Sequence, residues 1–411
     1  MRLPFADPSA SATGKGGPWG LPLEVVAIAA LAVIVRTVTA LGSHFTSEDF
    51  LITLRYAENL AAGRGFVYNA GERVLGTTTP LYTLVLALVA RLGLPPVPVG
   101  KALNLLADGG LCLVLYGWLR RLGHESAGRL AAFWAAVHPL HIRWAVSGME
   151  TSLVTLCGAL AVLAWMHRRY AAAYLALGVL FLLRWDGLLL AAVLTAGVLW
   201  RERRIPLREA APFALLAAPW VAFATAYFGN PIPGTAAAKL AVYGWHAGQP
   251  LFPGAPGMFW RWIAQPAPAA ATLAALVGLS VLRRNEWALA WPALGWFGLY
   301  VGALAASPLP LFEWYLVPPL PVHDALTALG VAALAGGLTA RLPARRIGWL
   351  AGAAVAVVAA TLWSVHSCRR TQQIEDHLRR PLGLWLRRHS APGDRVMLEP
   401  IGYIGYYSQR R

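Results

Sequence analysis

Long apolar runs, separated by short arginine-rich connections, constrain this chain more than any other feature. Hydrophobic residues make up 57% of its 411 residues and charged residues only 13%, whereas a soluble domain carries about 25% charged residues. Each run approaches the ~20 residues that cross a bilayer core as a helix. The sequence therefore predicts an all-α polytopic membrane protein.

The net charge of +16 does not indicate a nucleic-acid partner. The arginines lie in short connections between apolar runs, as the positive-inside rule expects of cytoplasmic loops. The three cysteines have neither the spacing of a zinc site nor the number of a disulfide framework. Composition therefore points to a bilayer, and the cysteines predict no zinc site.

We predict about eleven spans, with the N-terminus in the cytoplasm and the C-terminus outside. The apolar run 80–93 is short for a span, and counting it as one would place half of the arginine clusters on the wrong side, so we interpret it as an interfacial helix. The predicted spans are 21–42, 101–119, 130–144, 151–166, 170–183, 188–200, 212–228, 264–282, 287–306, 316–338 and 347–365.

This topology divides the chain into three parts. Residues 1–20 form a cytoplasmic tail and residues 21–366 a transmembrane domain, while 367–411 open a C-terminal extracytoplasmic domain that stops early. Two large loops lie outside, 43–100 and 229–262. In the tail, "DRVMLEP" predicts a strand and "IGYIGYY" a turn or the start of a helix.

The first outer loop carries an amphipathic helix. Ser47 is a good N-cap, and Gly63 and Gly65 end the helical pattern. One face is apolar and the other polar, which predicts a helix lying on the membrane. The apolar face holds Phe50, Leu51, Leu54, Ala57 and Ala61, and the polar face Arg55, Glu58 and Asn59. The helix opens with Glu48 and Asp49, which either complement the helix dipole or carry chemistry.

Further acids and bases fall at the same outer face of the predicted bundle. Singly each is a loop residue, but together they ring one side with charge, namely Glu150, Arg184, Asp186, Lys239 and Glu313. Asp108 and Asp324 lie inside spans, where a carboxylate is costly. Each of these two is either functional or makes a hydrogen bond that packs helices.

The stretch "EDFLITLRYAENLAAGRGFVYNAGERVLGTTTPLYTLVLAL" resembles the first-loop signature of polytopic GT-C glycosyltransferases, nearest to the branch of the actinobacterial cell-wall arabinofuranosyltransferases. Protein mannosyltransferases and lipid A aminoarabinose transferases are more distant relatives. The resemblance continues through "SGMETSL", "LRWDGLLLA", "YFGNPIPGTAAAKL", "WYLVPPLP" and "EPIGYIGYYS", from residue 45 to 408.

Some positions depart from the family pattern. Glu48 replaces the usual first Asp, whereas Asp49 keeps the second. Leu75 and Thr77 replace a Glu and a Tyr, which puts acceptor specificity in doubt more than chemistry. Trp185 stands where the family has Pro in "RPDG".

The resemblance implies an inverting glycosyltransferase in the bacterial inner membrane that works on its extracytoplasmic face. Its donor would be a polyprenyl-phosphate sugar, with arabinofuranose as the sugar of the nearest branch and a hexose left open. The acceptor would be a cell-envelope glycan, lipid or protein. A different class, a transporter or flippase of lipid-linked sugars, stays open, although polar groups at one face and no visible inverted repeat favour the transferase.

The expected roles follow from this chemistry. A lipid phosphate is already a good leaving group, so one carboxylate base suffices, and we expect Asp49, with Glu48 as the alternative. Cations should surround the leaving phosphate, and we expect Arg184, Lys239 and Arg55. The expected acceptor- or sugar-binding residues are Glu150, Asp186, Tyr56, Tyr403 and Tyr406. No cofactor is required, although a divalent cation near Glu48 and Asp49 stays open.

Overall fold

The computed structural model describes residues 20–243, 265–307, 312–339, 346–397 and 401–410, and within these ranges every regular element is helical. The predicted cytoplasmic tail and most of the second outer loop lie outside the described residues. The α-helices are α1 Leu23–Ser43, α2 Glu48–Ala61, α3 Pro80–Arg91, α4 Pro96–Arg121, α5 Glu125–Val137, α6 Pro139–Ala145, α7 Thr151–Met166, α8 Tyr170–Leu183, α9 Gly187–Glu202, α10 Ala211–Phe228, α11 Thr235–Tyr243, α12 Pro266–Ser280, α13 Arg284–Ala306, α14 Leu320–Thr339, α15 Arg346–Ile374, α16 Arg380–His389 and α17 Ile401–Ser408. A 3₁₀ turn, Glu313–Tyr315, precedes α14, and a π-helical turn, Glu375–Arg379, joins α15 to α16.

The helices confirm the all-α polytopic prediction. Two of them, α7 and α8, have the bounds predicted from the apolar runs. Among the described residues, five helical stretches are long and apolar enough to cross a membrane: α1, α4, α10, α13 and Ala351–His389. Other predicted spans coincide with shorter apolar helices, so the total of eleven stays a prediction.

One predicted span, 130–144, is wrong as a single helix. α5 ends at Val137, and α6 begins at Pro139. Proline has no N–H to continue the ladder and disfavours helical backbone in the preceding residue. His138 is accordingly extended, with φ −68° and ψ 122°.

Polar groups lie at two opposite ends of the bundle. At the end where α1 begins and α4 finishes, Arg129 pairs with Glu24 at 2.9 Å and His124 with Glu286 at 3.2 Å. The first loop and the connections α6–α7 and α8–α9 lie at the other end. The arginine-rich connections are therefore separated from the acids and bases predicted to be functional.

The two intramembrane acids belong to a buried network. Arg36 Nε lies 2.5 Å from Asp108 Oδ2, and Arg36 also donates to the carbonyls of Ala135 and Ala136. His141 Nε2 lies 2.9 Å from Asp324 Oδ2. These contacts join α1, α4, α5, α6 and α14, so hydrogen bonding between helices accounts for both acids.

The C-terminal segment, residues 375–397 and 401–410, differs from expectation. Asp394–Met397 are not in a strand, and residues 398–400 lie outside the described residues. Helix α17 packs against the polar face of α2, where Arg55 donates to the Gly405 carbonyl and is only 7% exposed. The predicted amphipathic helix is thus buried on both faces, because distant residues cover its polar side.

Candidate functional site

The start of α2 is anchored to the turn before α7. Ser47 is at the N-cap position as predicted, but its side chain makes no capping hydrogen bond. Its backbone N–H instead donates to the carbonyl of Ser147 at 2.8 Å. Gly148 has φ +88°, and a Cβ there would lie 2.8 Å from the Phe50 ring, so only glycine allows this close packing. The anchor brings the Asp49 and Glu150 backbones to the same end of the bundle.

Asp49 is a half-buried carboxylate that accepts no hydrogen bond from any residue the structure describes. Burial raises its pKa, while the charges of Lys239 and Arg184 oppose that rise. Two cations therefore favour the ionised form of a carboxylate that accepts no hydrogen bond within the described part of the chain.

Arg184 is oriented by neighbouring protein side chains. It follows the last residue of α8 in extended conformation, with φ −159° and ψ 133°. Its Nε and Nη2 donate to the two oxygens of Asp186 at 3.2 and 2.6 Å. Tyr300 donates to the same carboxylate at 3.0 Å, and the Tyr315 ring lies 4.9 Å from the guanidinium carbon.

Lys239 lies among aromatic rings. Its Nζ donates to the Tyr315 hydroxyl at 3.0 Å and lies 4.8 Å from the Phe312 ring centre and 5.8 Å from that of Trp314. Aromatic faces stabilise a cation electrostatically. Sequence analysis did not assign these aromatic residues a role, although the run "FEWY" was a signal that could have found them.

Glu150 is the second acid beside Arg184. Its side chain is 5% exposed, and burial raises its pKa to about 7 against the lowering effect of Arg184. The carboxylates of Asp49 and Asp186 raise that pKa further. Like Asp49, it forms no side-chain hydrogen bond with the described residues. Five predicted site residues thus lie together: Asp49, Glu150, Arg184, Asp186 and Lys239.

Glu48 faces a different partner, the C-terminal segment. Its Oε1 accepts a hydrogen bond from the Gly402 backbone N–H at 2.6 Å, and its Oε2 from Arg379 at 3.0 Å. Burial raises its pKa to about 7, while the Gly402 N–H and Arg379 favour the charged form. Sequence analysis missed Arg379, because 331 positions separate it from Glu48.

Arg55 has contacts that account for its guanidinium without a phosphate. It donates to the carbonyls of Tyr68 at 2.9 Å and Arg410 at 3.0 Å, to Asn69 Oδ1 at 3.0 Å, and to the Gly405 carbonyl. It joins the first loop to the C-terminal segment, and it forms no ion pair with Glu58 among the described residues.

The three tyrosines expected to bind sugar also make internal contacts. The Tyr56 hydroxyl donates to the Val74 carbonyl at 2.8 Å and accepts from the Gly76 N–H at 3.0 Å. Tyr403 donates to the Thr46 carbonyl at 3.1 Å and Tyr406 to Glu58 at 2.7 Å. These hydroxyls hold loop segments together, and their predicted contact with sugar stays a prediction.

The described residues lend no support to a divalent cation near Glu48 and Asp49, so that site stays an untested prediction. Across the described part of the chain, no group of three or more His, Cys, Asp and Glu side chains could hold a metal ion. Both oxygens of Glu48 accept from N–H groups, and Asp49 faces two positive charges. A hard cation needs several oxygen ligands in one place.

This helical bundle, with an acid at the start of the first outer loop facing two cations, has the GT-C fold. It superposes on ArnT from Cupriavidus metallidurans bound to undecaprenyl phosphate with a TM-score of 0.65 and 15% identity, covering 94% of this chain and 84% of that one. It superposes on the Archaeoglobus fulgidus oligosaccharyltransferase with a TM-score of 0.55 and 14% identity, covering 94% and 59% of the two chains. At such identities the likeness shows the fold alone.

Sequence comparison gives a more particular likeness. The chain is 31% identical over 224 residues to the terminal β-(1→2)-arabinofuranosyltransferase of Mycobacterium tuberculosis. The match covers 47% of this chain and spans about a third, 34%, of that protein's length. No protein-family model matches the chain. The resemblance to the arabinofuranosyltransferase branch is thereby confirmed as sequence similarity.

Proposed function

We propose that this chain is an inverting glycosyltransferase that moves a sugar from a polyprenyl-phosphate donor to a hydroxyl group of a cell-envelope acceptor. The observation that carries the proposal is the Asp49 carboxylate, which has no hydrogen-bond partner among the described residues and whose charged form is favoured by the charges of Lys239 and Arg184. The names of the similar proteins support it, since one transfers arabinofuranose and another binds undecaprenyl phosphate.

The reaction suits one base and two cations. The acceptor oxygen attacks the anomeric carbon from the face opposite the phosphate, so the new C–O bond forms as the sugar–phosphate bond breaks. The hydroxyl proton goes to a carboxylate, and the bonding electrons leave with the polyprenyl phosphate. Positioned cations stabilise charge that develops on the leaving group, and a general base contributes about 10²–10⁴-fold.

The roles follow from the contacts. Asp49 is the base, because its oxygens accept no hydrogen bond from the described residues, whereas those of Glu48 are occupied by N–H donors. Arg184 and Lys239 hold the leaving phosphate. Glu150 lies beside Arg184 and binds acceptor hydroxyls. Asp186 orients Arg184 through its two hydrogen bonds, and Arg55 positions the loop.

The sugar and the location extend the proposal. Arabinofuranose is the sugar named for the relative that matches by sequence. A lipid-linked donor suits a site outside the inner membrane, where nucleotide sugars are absent, and the arginine-rich connections at the opposite end suit the cytoplasm. We propose a bacterial inner-membrane enzyme that needs no divalent cation.

The test is transfer by purified protein in detergent from a panel of short-chain polyprenyl-phosphoryl sugars. Asp49→Asn should lower transfer by about 10²–10⁴-fold while donor binding is retained. Glu125→Gln is a matched control, because it removes an exposed carboxylate at the opposite end. EDTA should have no effect.

Two results would overturn the proposal. Full activity of Asp49→Asn would remove Asp49 from the role of base. Absence of transfer from every donor, together with movement of labelled lipid across liposomes, would establish the transporter instead.

A further inference from the structure

The C-terminal segment provides both hydrogen bonds to the carboxylate of Glu48. Gly402 N–H reaches one oxygen at 2.6 Å, and Arg379 Nη1 reaches the other at 3.0 Å. Arg379 is itself held by Glu375 at 2.5 Å, one turn earlier on the same helical stretch. The residue next to the proposed base is thus fixed by a segment more than 320 positions away along the chain.

Glycines allow this close approach. A Cβ at Gly402 would overlap the side chain and backbone oxygen of Glu48, and one at Gly405 would overlap the Tyr68 hydroxyl. Tyr68 donates to the Ile401 carbonyl at 2.8 Å. The backbone of α17 therefore lies directly on α2 and the first loop. A side chain larger than that of glycine would not fit at these two positions.

The start of α2 is held from two sides. The C-terminal segment holds Glu48, and the residues preceding it are held by Gln372, which accepts from the Thr46 N–H at 2.9 Å, and by the Ser147 carbonyl. Asp49 follows Glu48 in the first turn of the helix. The Glu48 contacts are therefore among those that fix the backbone carrying Asp49.

We propose that Glu48 is a positioning residue, through which the C-terminal segment sets the place of the Asp49 carboxylate. This inference rests on the proposed function. It makes the described C-terminal residues 375–397 and 401–410 contribute to the active site. A displacement of about 1 Å at a reacting group can cost ~10²-fold in rate, so loss of the contact should lower turnover without removing any reacting group.

The experiment compares variants on the two sides of the contact by kcat and by the KM for a polyprenyl-phosphoryl sugar. Gly402→Ala places a methyl group against Glu48 and should lower kcat by about 10²-fold, with KM for the donor nearly unchanged because Arg184 and Lys239 are untouched. Gly393→Ala is the matched control, since a Cβ there meets nothing within 4 Å.

Glu48→Gln and Arg379→Met test the same contact without adding bulk. Each should lower kcat, and the double variant should be no worse than the poorer single variant, because the two residues act as one pair. Glu48→Asp, which keeps the charge, should recover more activity than Glu48→Gln. Amide hydrogen exchange of residues 401–408 should rise in Glu48→Gln, which reports docking independently of activity.

Failure of the inference is distinguishable from failure of the proposed function. Loss of all transfer in Glu48→Gln, equal to that in Asp49→Asn, would make Glu48 a base and overturn the positioning role. Full kcat in Gly402→Ala, or unchanged exchange of residues 401–408 in Glu48→Gln, would also overturn it. Full activity of Asp49→Asn would instead remove Asp49 from the role of base, on which the positioning role rests, and absence of transfer by the wild type from every donor would remove the proposed function itself.

Discussion

Arg184 and Asp186 form a two-point pair, with Nε and Nη2 of the guanidinium donating to the two carboxylate oxygens at 3.2 and 2.6 Å. The pair closes across a single intervening residue, Trp185, and Tyr300 adds a third hydrogen bond to the carboxylate. The protein's own side chains therefore fix the position of the Arg184 guanidinium. Preorganised charge stabilises a transition state without the cost of reorienting it during the reaction.

Arg184→Lys should lower transfer, although the charge is kept. Lysine can neither pair with Asp186 through two donors nor stack on Tyr315 as a planar group. A hydrogen bond to a charged group contributes about 1.5–3 kcal/mol, which corresponds to roughly 10- to 150-fold in kcat/KM. Arg204→Lys is the matched control, because Arg204 makes a similar pair with Glu209 at the opposite end. Equal effects of the two variants would contradict a role for Arg184 at the site.

Lys239→Met should move the acid limb of the kcat/KM profile to higher pH. The base must be ionised, so activity falls as pH drops through the pKa of Asp49. Burial raises that pKa and Lys239 lowers it, so removing the cation leaves the pKa higher. Lys239→Arg keeps the charge and should keep the position of the limb. An unmoved limb in Lys239→Met would mean that Lys239 does not face the ionising group.

Arg36→Met should destabilise the protein by about 3–5 kcal/mol, because it leaves the buried Asp108 carboxylate without its cation. The double variant Arg36→Met with Asp108→Leu should lose less, since no unpaired charge remains. Arg129→Met removes the exposed pair with Glu24 and should change stability by only ~0–1 kcal/mol. Unfolding in mixed detergent measures all three, and a double variant less stable than Arg36→Met would contradict the pairing.

Gly330→Ala should weaken the crossing of α12 and α14. A Cβ at Gly330 would overlap the Ala274 carbonyl oxygen, and one at Gly278 would overlap the Leu326 carbonyl oxygen. Small residues let helices approach closely in membranes, and overpacking costs about 1–3 kcal/mol. Gly336→Ala, where a Cβ meets nothing within 4 Å, should be neutral or stabilising. A melting temperature of Gly330→Ala equal to that of the wild type would contradict this prediction, because it would show that the two helices can move apart without loss of stability.

The apolar runs predicted helices well, because hydrophobic periodicity and length are local properties. The runs that became α7 and α8 gave the correct bounds. The break at His138 was also local, since Pro139 is visible in the sequence, but apolar residues on both sides favoured one continuous span. The motif resemblance correctly indicated the GT-C fold.

The different roles of Glu48 and Asp49 could not be predicted from local sequence. The sequence placed two adjacent carboxylates at a helix start and could not separate their roles. Only the fold brings Gly402 and Arg379 onto Glu48, and only the fold brings Lys239 toward Asp49. Likewise, the polar face of α2 predicted exposure for Arg55, which tertiary contacts with Gly405 and Arg410 bury.

The sequence by itself determined that this protein folds in a lipid bilayer and where its helices lie. It also determined the end of the helical bundle at which its acidic and basic residues gather. These features depend on composition and on spacing along the chain. In a bilayer, an apolar segment must satisfy its own backbone hydrogen bonds, so it forms a helix. The tertiary structure decided which carboxylate stays free and which cations face it. Those choices depend on burial and on contacts between residues hundreds of positions apart, and no local pattern records such contacts.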